Sequence, residues 1–219
     1  MKYLILSLLF VGAGVFSKEF IPDNAAKYKR DLMRHSQYHF GLNAPTAVFA
    51  AQIHKESTWN PNAKSPYADG LTQFTPETAG WVSGKFPALV ANEPLNPIWA
   101  IQALLIYDKY LLDRITYWGG EGTLKVCDDW SFALSAYNGG YGWVIRDRKL
   151  TRADGKDQNV WINNVELYTD RSDAARKENR GYPDKILHKL ANLYRQNGWG
   201  PIIVCDPITY NLQHKCIMK

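Results

Sequence analysis

The spacing of apolar residues along the chain predicts a mainly helical protein. Apolar side chains recur every three or four positions in several stretches, and polar stretches with Gly, Asn or Pro separate them. The predicted helices cover residues 23–36, about 43–59, a short segment from 75, 96–118, 128–138 and 183–196. The interval 146–181 is polar and predicts only a weak helical segment over 160–168. Strand is expected to be scarce and confined to a loop or ribbon over residues 60–75.

The second predicted helix is apolar on several sides and is expected to be buried. Asn43 or Thr46 can cap its start, with Pro45 in the first turn. The Asn-Pro pair at 60–61 ends it, because the residue before a proline is pushed out of the helical region. Its last turn then holds a lone carboxylate, Glu56.

Glu56 is a candidate general acid. The negative end of the helix dipole and burial both disfavour its charge, so we expect its pKa to be raised. A carboxylic acid that stays protonated near neutral pH is what general acid catalysis requires. The alternative is a solvated surface glutamate that pairs with Lys55 or His54.

Capping residues place three further helix ends. Thr75 is expected to cap the short helix, with Pro76 in its first turn. Asp128 is expected to cap the helix that a Gly-Gly pair closes at 139–140. Tyr182 stands just before the last predicted helix, where it can act as a hydrophobic staple.

The surroundings of Glu56 and two later blocks follow one family pattern in order. The first block contains Glu56-Ser57, Asn60-Pro61, Ala63 and Ser65. The next blocks are 70–73 (GLTQ), 76–79 (PETA), 136–140 (AYNGG) and 178–182 (ENRGY). Together they resemble the lysozyme-like soluble lytic transglycosylase (SLT) family, whose pattern is E-S-x-x-N-P-x-A-x-S, G-L-M-Q, P-x-T-A, A-Y-N-x-G and E-T/N-x-x-Y.

Three departures from this pattern bear on the shape of the site. Thr72 stands where the family has methionine, and the loop between Ser65 and Gly70 is one residue short. The stretch between Asn138 and Tyr182 is long for the family. We expect these departures to change the sugar groove more than the chemistry.

The resemblance implies a mainly α fold of the α+β lysozyme-like superfamily. The expected architecture is a single helical domain with a small loop or ribbon after the catalytic helix and a substrate groove. The resemblance also implies a peptidoglycan lytic transglycosylase, a lyase that cleaves the MurNAc-β-1,4-GlcNAc bond and forms 1,6-anhydro-MurNAc. Glu56 is expected to act first as acid and then as base, without a second carboxylate and without a cofactor or metal.

The family blocks also imply supporting roles. Ser57 is expected to orient the carboxylate or the substrate. Gln73, with the backbone of Gly70 and Leu71, is expected to line the groove. Tyr137 and Asn138 are expected to contact sugar near the scissile bond. Tyr182 is expected to donate its hydroxyl to Glu56.

Two other functions compete with this interpretation. A goose-type lysozyme-like hydrolase of the same bond would need a second carboxylate across the groove, for instance Asp69. A non-catalytic glycan-binding or assembly protein would not need the intact Glu56. The anhydro or reducing state of the product ends separates the two enzyme classes.

Composition favours an anionic polymer as partner without choosing one. The net charge is +5 and the pI is about 9.0, which suits an anionic ligand. Nucleic acid is one candidate, but no long basic run is present; peptidoglycan with its lactyl-peptide carboxylates, or teichoic or lipid phosphate, is equally compatible. The family resemblance implies peptidoglycan and no nucleic acid. The eight Trp and thirteen Tyr serve either core packing or stacking on sugar faces. We expect a monomer whose partner is the peptidoglycan glycan strand.

The two termini add expectations about location. Residues 1–17 have the charge and apolar run of a signal peptide, with cleavage before Lys18, so we expect an exported protein of the periplasm or cell envelope. Membrane contact is expected only through this segment, and an uncleaved anchor is the alternative. The catalytic domain is expected over 18–200, followed by a C-terminal tail over 201–219.

Three cysteines fit one disulfide and one spare thiol in an exported protein. A bridge between Cys205 and Cys216 would fix the C-terminal tail. Cys127 can instead pair with either of them.

Overall fold

Helices make up most of the described chain, as the apolar spacing predicted. The computed structural model describes residues 19–119 and 126–205. The α-helices are α1 (Lys29–Phe40), α2 (Thr46–Ser57), α3 (Pro76–Lys85), α4 (Pro97–Gly119), α5 (Val126–Gly139), α6 (Tyr141–Ala153), α7 (Asp173–Asp184) and α8 (Ala191–Gln196). Short 3-10 helices cover Asp23–Tyr28, Pro87–Leu89 and Val165–Leu167, and a π-helix over Lys185–Leu190 joins α7 to α8.

Helix α2 lies at the centre of the larger hydrophobic cluster. Every residue from Thr46 to His54 is buried, and α1, α8 and the π-helix pack around it. A smaller cluster fills the space between the second half of α4, α5 and α6, and it includes Trp161. The buried positions of α2 are mostly apolar, and buried apolar surface contributes about 25 cal/mol per Å². Apolar packing therefore holds α2 in place.

Both ends of α2 differ in detail from the prediction. Neither Asn43 nor Thr46 caps it: Pro45 occupies the cap position without a side-chain hydrogen bond, and the Thr46 hydroxyl pairs with Ser36 at 2.7 Å. The helix ends at Ser57, before the Asn-Pro pair, because Thr58 and Trp59 both adopt left-handed conformations, with φ of 52° and 64°.

The burial of Trp59 accounts for this early turn. Its side chain is fully buried, and its Nε1 donates to the Tyr194 hydroxyl at 2.6 Å. The same hydroxyl lies 2.9 Å from Nδ1 of His54. The left-handed turn therefore brings an aromatic side chain back into the core three residues after Glu56, the candidate general acid.

The ribbon predicted after α2 is present as two isolated antiparallel bridges. Lys64 pairs with Asp69, and Asp69 pairs with Phe74. Gly70 has a φ of +79°, and a Cβ at this position would lie 2.0 Å from the Pro94 carbonyl oxygen. Only glycine fits there, so the loop packs directly on the backbone that precedes α4.

Two helices lie where only weak helical order was predicted. The interval 146–181 contains most of α6 and the first part of α7, while the segment around 160–168 forms only the 3-10 turn Val165–Leu167. The apolar pattern fails here because buried polar residues take the inward positions: α6 buries Asp147, Arg148 and Thr151.

Two predicted end residues are inside helices instead. Asp128 does not cap α5, which begins at Val126; its Oδ1 accepts the N–H of Trp161 at 2.8 Å. Tyr182 is not a staple before a helix but lies within α7, followed by Pro183. Proline has no N–H to donate to an α-helical hydrogen bond. The π-helix begins two residues after Pro183, at Lys185. The Thr75 cap is confirmed, since its side chain accepts the Thr78 N–H at 3.1 Å.

The disulfide joins Cys127 to Cys205. This is one of the pairings that the sequence left open, and Cys216 lies outside the described residues. The bridge ties the start of α5 to the segment after α8. That segment also contacts the start of α2, where the Ala47 N–H donates to the Pro201 carbonyl at 3.2 Å. A cross-link that spans 78 residues contributes about 4.5 kcal/mol on the chain-entropy model.

In the ranges 19–119 and 126–205, no helix combines the length and apolar character that a membrane span needs. The predicted signal peptide, residues 1–17, lies outside these ranges.

Candidate active site

Glu56 opens onto a cavity of about 400 Å³. Its walls come from the end of α2, the ribbon, the start of α3, the middle of α4, the end of α5 and α7. Glu56 itself is partly buried and lies in the wall of the cavity. A lone carboxyl group in the last turn of an apolar helix thus has access to a ligand.

Tyr182 holds the carboxyl group of Glu56. Its hydroxyl donates to Oε1 of Glu56, and its side chain is 1% exposed. Burial, followed by the charge of Glu56, raises the pKa of Tyr182 well above its ordinary value. The phenol therefore stays a donor throughout the physiological pH range and fixes one oxygen of the carboxyl group.

The pKa of Glu56 is raised to about 7. Burial is the main cause, and the negative charge of Glu178 adds to it. The hydrogen bond from Tyr182 and the charge of Lys55 act in the opposite direction. The raised pKa predicted from the sequence is confirmed. The carboxyl group accepts a hydrogen bond from Tyr182 instead of pairing with Lys55 or His54 at the surface. Near neutral pH, Glu56 can both give and accept a proton.

Tyr137 and Asn138 reach the cavity from the end of α5. The Tyr137 hydroxyl donates to the carbonyl of Thr72 at 2.8 Å, which joins α5 to the ribbon. Oδ1 of Asn138 accepts from Nδ2 of Asn179 at 3.1 Å, and Asn179 is itself held by Ser135 through bonds of 2.8 and 2.9 Å. This network fixes the orientation of the Asn138 amide.

Of the predicted site residues Ser57, Gly70, Leu71 and Gln73, one lines the cavity and three hold the loop. Gln73 lines the cavity, and its Nε2 donates to the Gly70 carbonyl at 2.9 Å. Ser57 donates to the Leu71 carbonyl at 2.7 Å, and Leu71 is fully buried. Ser57, Gly70 and Leu71 therefore position the backbone that carries Gln73.

Aromatic rings form the wall beside the ribbon. The rings of Phe74, Tyr107 and Tyr137 contact one another, with centroids 5.6 to 5.9 Å apart. Tyr67 lies at the rim and is 79% exposed. The three rings pack together, whereas the exposed ring of Tyr67 leaves a face open at the cavity.

The apolar pattern of α4 concealed a buried carboxyl group near Glu56. Asp108 is 1% exposed and accepts from Nε2 of Gln52 at 3.3 Å. Burial raises its pKa well above the ordinary value, and the charge of Glu56 adds to this. Gln52 lies one turn before Glu56, so the pair is packed beneath the site. A charged residue among the inward positions of α4 was the signal available in the sequence.

Asp69, the example of a second carboxylate for a hydrolase, does not lie in the wall of the cavity. It belongs to the ribbon, where its N–H donates to Phe74 at 3.1 Å. Glu178 is the other acidic residue of the described cavity wall, and its side chain is exposed on α7. No cluster of His, Cys, Asp and Glu suited to a metal ion occurs within the described ranges.

The sequence matches the family described as the Transglycosylase SLT domain over residues 34–160, more than half of the chain. It is similar to the membrane-bound lytic murein transglycosylase F of Vibrio parahaemolyticus, with 32% identity over 117 residues, 53% of this chain and 20% of that protein. The Shewanella sediminis protein of that name is 31% identical over 142 residues, 64% of this chain and 26% of that protein.

A third relative extends the match. The membrane-bound lytic murein transglycosylase F of Stutzerimonas stutzeri is 30% identical over 155 residues, 70% of this chain and 29% of that protein. The chain thus spans less than a third of the length of these relatives. The family match includes Glu56, Gln73, Tyr137 and Asn138 and ends before α7, which carries Tyr182.

Proposed function

Since this chain belongs to the transglycosylase SLT domain family, we propose that it is a peptidoglycan lytic transglycosylase. The reaction is cleavage of the MurNAc-β-1,4-GlcNAc bond with formation of 1,6-anhydro-MurNAc. The observation that carries the proposal is the protonatable carboxyl group of Glu56, held by Tyr182 and open to a cavity with an exposed aromatic rim.

Glu56 acts twice in this mechanism. First, its carboxyl group gives a proton to the glycosidic oxygen, and the bond from that oxygen to C1 of MurNAc breaks. Next, the C6 hydroxyl of the same MurNAc attacks C1, and the carboxylate of Glu56 takes the hydroxyl proton. The products are a 1,6-anhydro-MurNAc end and a free GlcNAc hydroxyl, and no water is consumed. An internal nucleophile replaces the second carboxylate of most glycosidases.

The remaining cavity residues have supporting roles. Tyr182 fixes one oxygen of Glu56, so that the other can face the glycosidic oxygen. Tyr137 and Asn138 contact sugar near the scissile bond, and Gln73 contacts it from the ribbon. Ser57, Gly70 and Leu71 hold the ribbon in register. A pKa of about 7 suits a group that must give and then accept a proton.

The substitution Glu56→Gln tests the acid. The variant keeps the shape of the side chain but cannot give a proton, so it should bind glycan strands and release no anhydro-muropeptides from purified sacculi. Glu77→Gln is the matched control, because Glu77 lies in the first turn of α3, outside the cavity wall. Release of anhydro products by Glu56→Gln at the control rate would overturn the assignment.

A hydrolase is the second candidate, because Glu178 lies in the cavity wall. Mass spectrometry of the product ends separates the two functions: a transglycosylase leaves anhydro-MurNAc ends, and a hydrolase leaves reducing MurNAc ends. Reducing ends that depend on Glu178 would assign hydrolysis.

The setting follows from the substrate. We infer a place in the cell envelope, where peptidoglycan lies, and a monomer that works on glycan strands rather than nucleic acid. Light scattering of the purified protein and fractionation of cells that produce it test these two points.

A further inference from the structure

Asp108 is a buried carboxyl group that the mechanism above does not use. It lies in α4 and is 1% exposed. Its Oδ1 accepts from Nε2 of Gln52 at 3.3 Å. In the part of the chain that the structure describes, no lysine, arginine or histidine forms an ion pair with it. An ionised carboxyl group at this position would lose its hydration and gain no cation in return.

The atoms of this pair that lack a partner are complementary. Oδ2 of Asp108 and Oε1 of Gln52 are both buried, and neither has a hydrogen-bond partner within the described ranges. If Asp108 is ionised, both atoms are acceptors and cannot pair with each other. A proton on Oδ2 makes that oxygen a donor, and Oε1 is an acceptor without one. One proton therefore satisfies both atoms and gives the pair two hydrogen bonds instead of one.

The pair is electrostatically coupled to the candidate active site. Gln52 lies one turn before Glu56 on α2. Burial, and then the charge of Glu56, raises the pKa of Asp108. After burial, the charge of Asp108 is also among the causes that raise the pKa of Tyr137 and of Tyr182. A carboxylate at position 108 would thus oppose the charge on Glu56.

The groups around Asp108 do not compensate a charge on it. The titratable groups that interact with it include one carboxyl group and three phenols, those of Glu56, Tyr107, Tyr137 and Tyr182. Helix α1 also packs against α4, but the charges that act on its histidines come from α1 itself and from Lys109. Because phenols are neutral near pH 7, an ionised Asp108 gains nothing from these acids.

We propose that Asp108 and Gln52 form a neutral acid–amide pair, in which Oδ2–H of Asp108 donates to Oε1 of Gln52, and that this pair positions Glu56. Asp108 is a positioning residue, since it acts through Gln52 and does not line the cavity. The pair joins α4 to α2 by two hydrogen bonds. It also keeps a negative charge away from the carboxylate that Glu56 becomes during the reaction. This last role rests on the proposed function, whereas the proton on Asp108 does not.

Infrared difference spectroscopy of the intact protein tests the proton directly. At pH 8 the Glu56→Gln variant should show the carbonyl band of a protonated carboxylic acid, and the double variant Glu56→Gln/Asp108→Asn should lack that band. The Glu56→Gln background removes the carboxyl group whose pKa is about 7. Asp113→Asn in the same background is the matched control, because Asp113 is exposed on the same helix, and it should leave the band unchanged. A difference spectrum without the band would overturn the inference.

The rate and the pH–activity profile test the positioning role. Asp108→Leu removes both hydrogen bonds and should reduce kcat roughly tenfold. Asp108→Asn should recover most of that loss, because its amide can donate to Oε1 of Gln52 in place of the proton. Gln52→Glu adds a second carboxyl group to the pair. The charge that this variant gains as pH rises should move the alkaline limb, which Glu56 sets, to higher pH.

Each failure has its own outcome. If circular dichroism shows that Asp108→Leu is unfolded, the two polar variants still carry the test. An Asp108→Asn rate as low as that of folded Asp108→Leu, or an unmoved alkaline limb in Gln52→Glu, would overturn the positioning role. The infrared band needs no turnover, so its presence in a protein that releases no anhydro products would refute the proposed function alone.

Discussion

The two sides of the cavity at Glu56 are held in place by different interactions. On one side, α2 carries Glu56, and all residues from Thr46 to His54 are buried. On the other side, α7 carries Tyr182, and its other buried residues are only Asn179 and Pro183. Buried hydrogen bonds hold α7 in place on this side, for instance those between Asn179 and Ser135.

The two kinds of interaction respond differently to substitution. Apolar packing is tolerant of small changes as long as volume is kept. A buried polar network is directional, and it becomes costly when one member is lost. We therefore expect substitutions on the α7 side to have large and specific effects, whereas conservative substitutions on the α2 side should have small ones.

The largest effect is expected from Asp147→Ala. This change leaves Arg171 and Arg180 buried without their shared carboxylate, and breaking a buried ion pair costs about 3–5 kcal/mol. Urea unfolding should show this loss, whereas Ile53→Val in α2 should cost about 0.5–1.5 kcal/mol. Equal losses in the two variants would contradict the contrast between the two sides.

Glu56→Gln should stabilise the protein in a pH-dependent way. The pKa of Glu56 is raised from 4.5 to about 7 in the folded state, so the folded protein binds more protons than the unfolded one in this window. Its stability therefore falls as pH rises through the window, and glutamine does not titrate. The variant should be more stable by up to about 3 kcal/mol at pH 8 and equal at pH 4. An equal stability at pH 8 would show that the charge of Glu56 is well solvated.

Tyr182→Phe should reduce activity roughly tenfold, because one charge-assisted hydrogen bond is lost. That bond lowers the pKa of Glu56, so its loss should move the alkaline limb of the pH–activity profile to higher pH. Tyr38→Phe is the control, since Tyr38 is 83% exposed. A lower rate with an unmoved limb would assign Tyr182 to substrate contact instead.

For Asp108→Asn the same linkage gives the direction of the effect. Burial raises the pKa of Asp108, so the folded protein retains a proton that the unfolded chain loses above the ordinary pKa. The unmodified protein therefore loses stability as pH rises, and the variant does not. Unfolding curves between pH 4 and 8 should show the variant gaining relative stability with pH. A constant difference would mean that Asp108 is charged throughout.

The same contrast explains what the sequence could predict. Helix α2, the position of Glu56 in its last turn and the long helix α4 follow from apolar spacing and turn residues. Most of α6 and the first part of α7 do not, because their inward positions are taken by residues such as Asp147 and Asn179, whose partners are distant in sequence. Tyr137 and Tyr182 were predicted as site residues from the family blocks that contain them, and not from the spacing of apolar residues.

Residues with no such resemblance were missed. Asp108 is recognisable only as a charged residue on the buried face of α4. Arg171 follows a polar stretch, and its burial depends on Gly139 and Trp143, which approach it only in the folded chain. The early turn after α2 likewise depends on a distant partner, Tyr194, which receives the Trp59 N–H.

The bridge between Cys127 and Cys205 encloses α5, α6, α7 and α8 in one covalent ring. Helix α7 and the helices α5 and α6 that form hydrogen bonds or ion pairs with it lie within that ring, whereas α2 lies outside it. In a reducing cytosol the ring would open, and amide hydrogen exchange in α7 should accelerate while α2 stays protected. Oxidation of these two cysteines would then be the step that gives the groove its lasting shape.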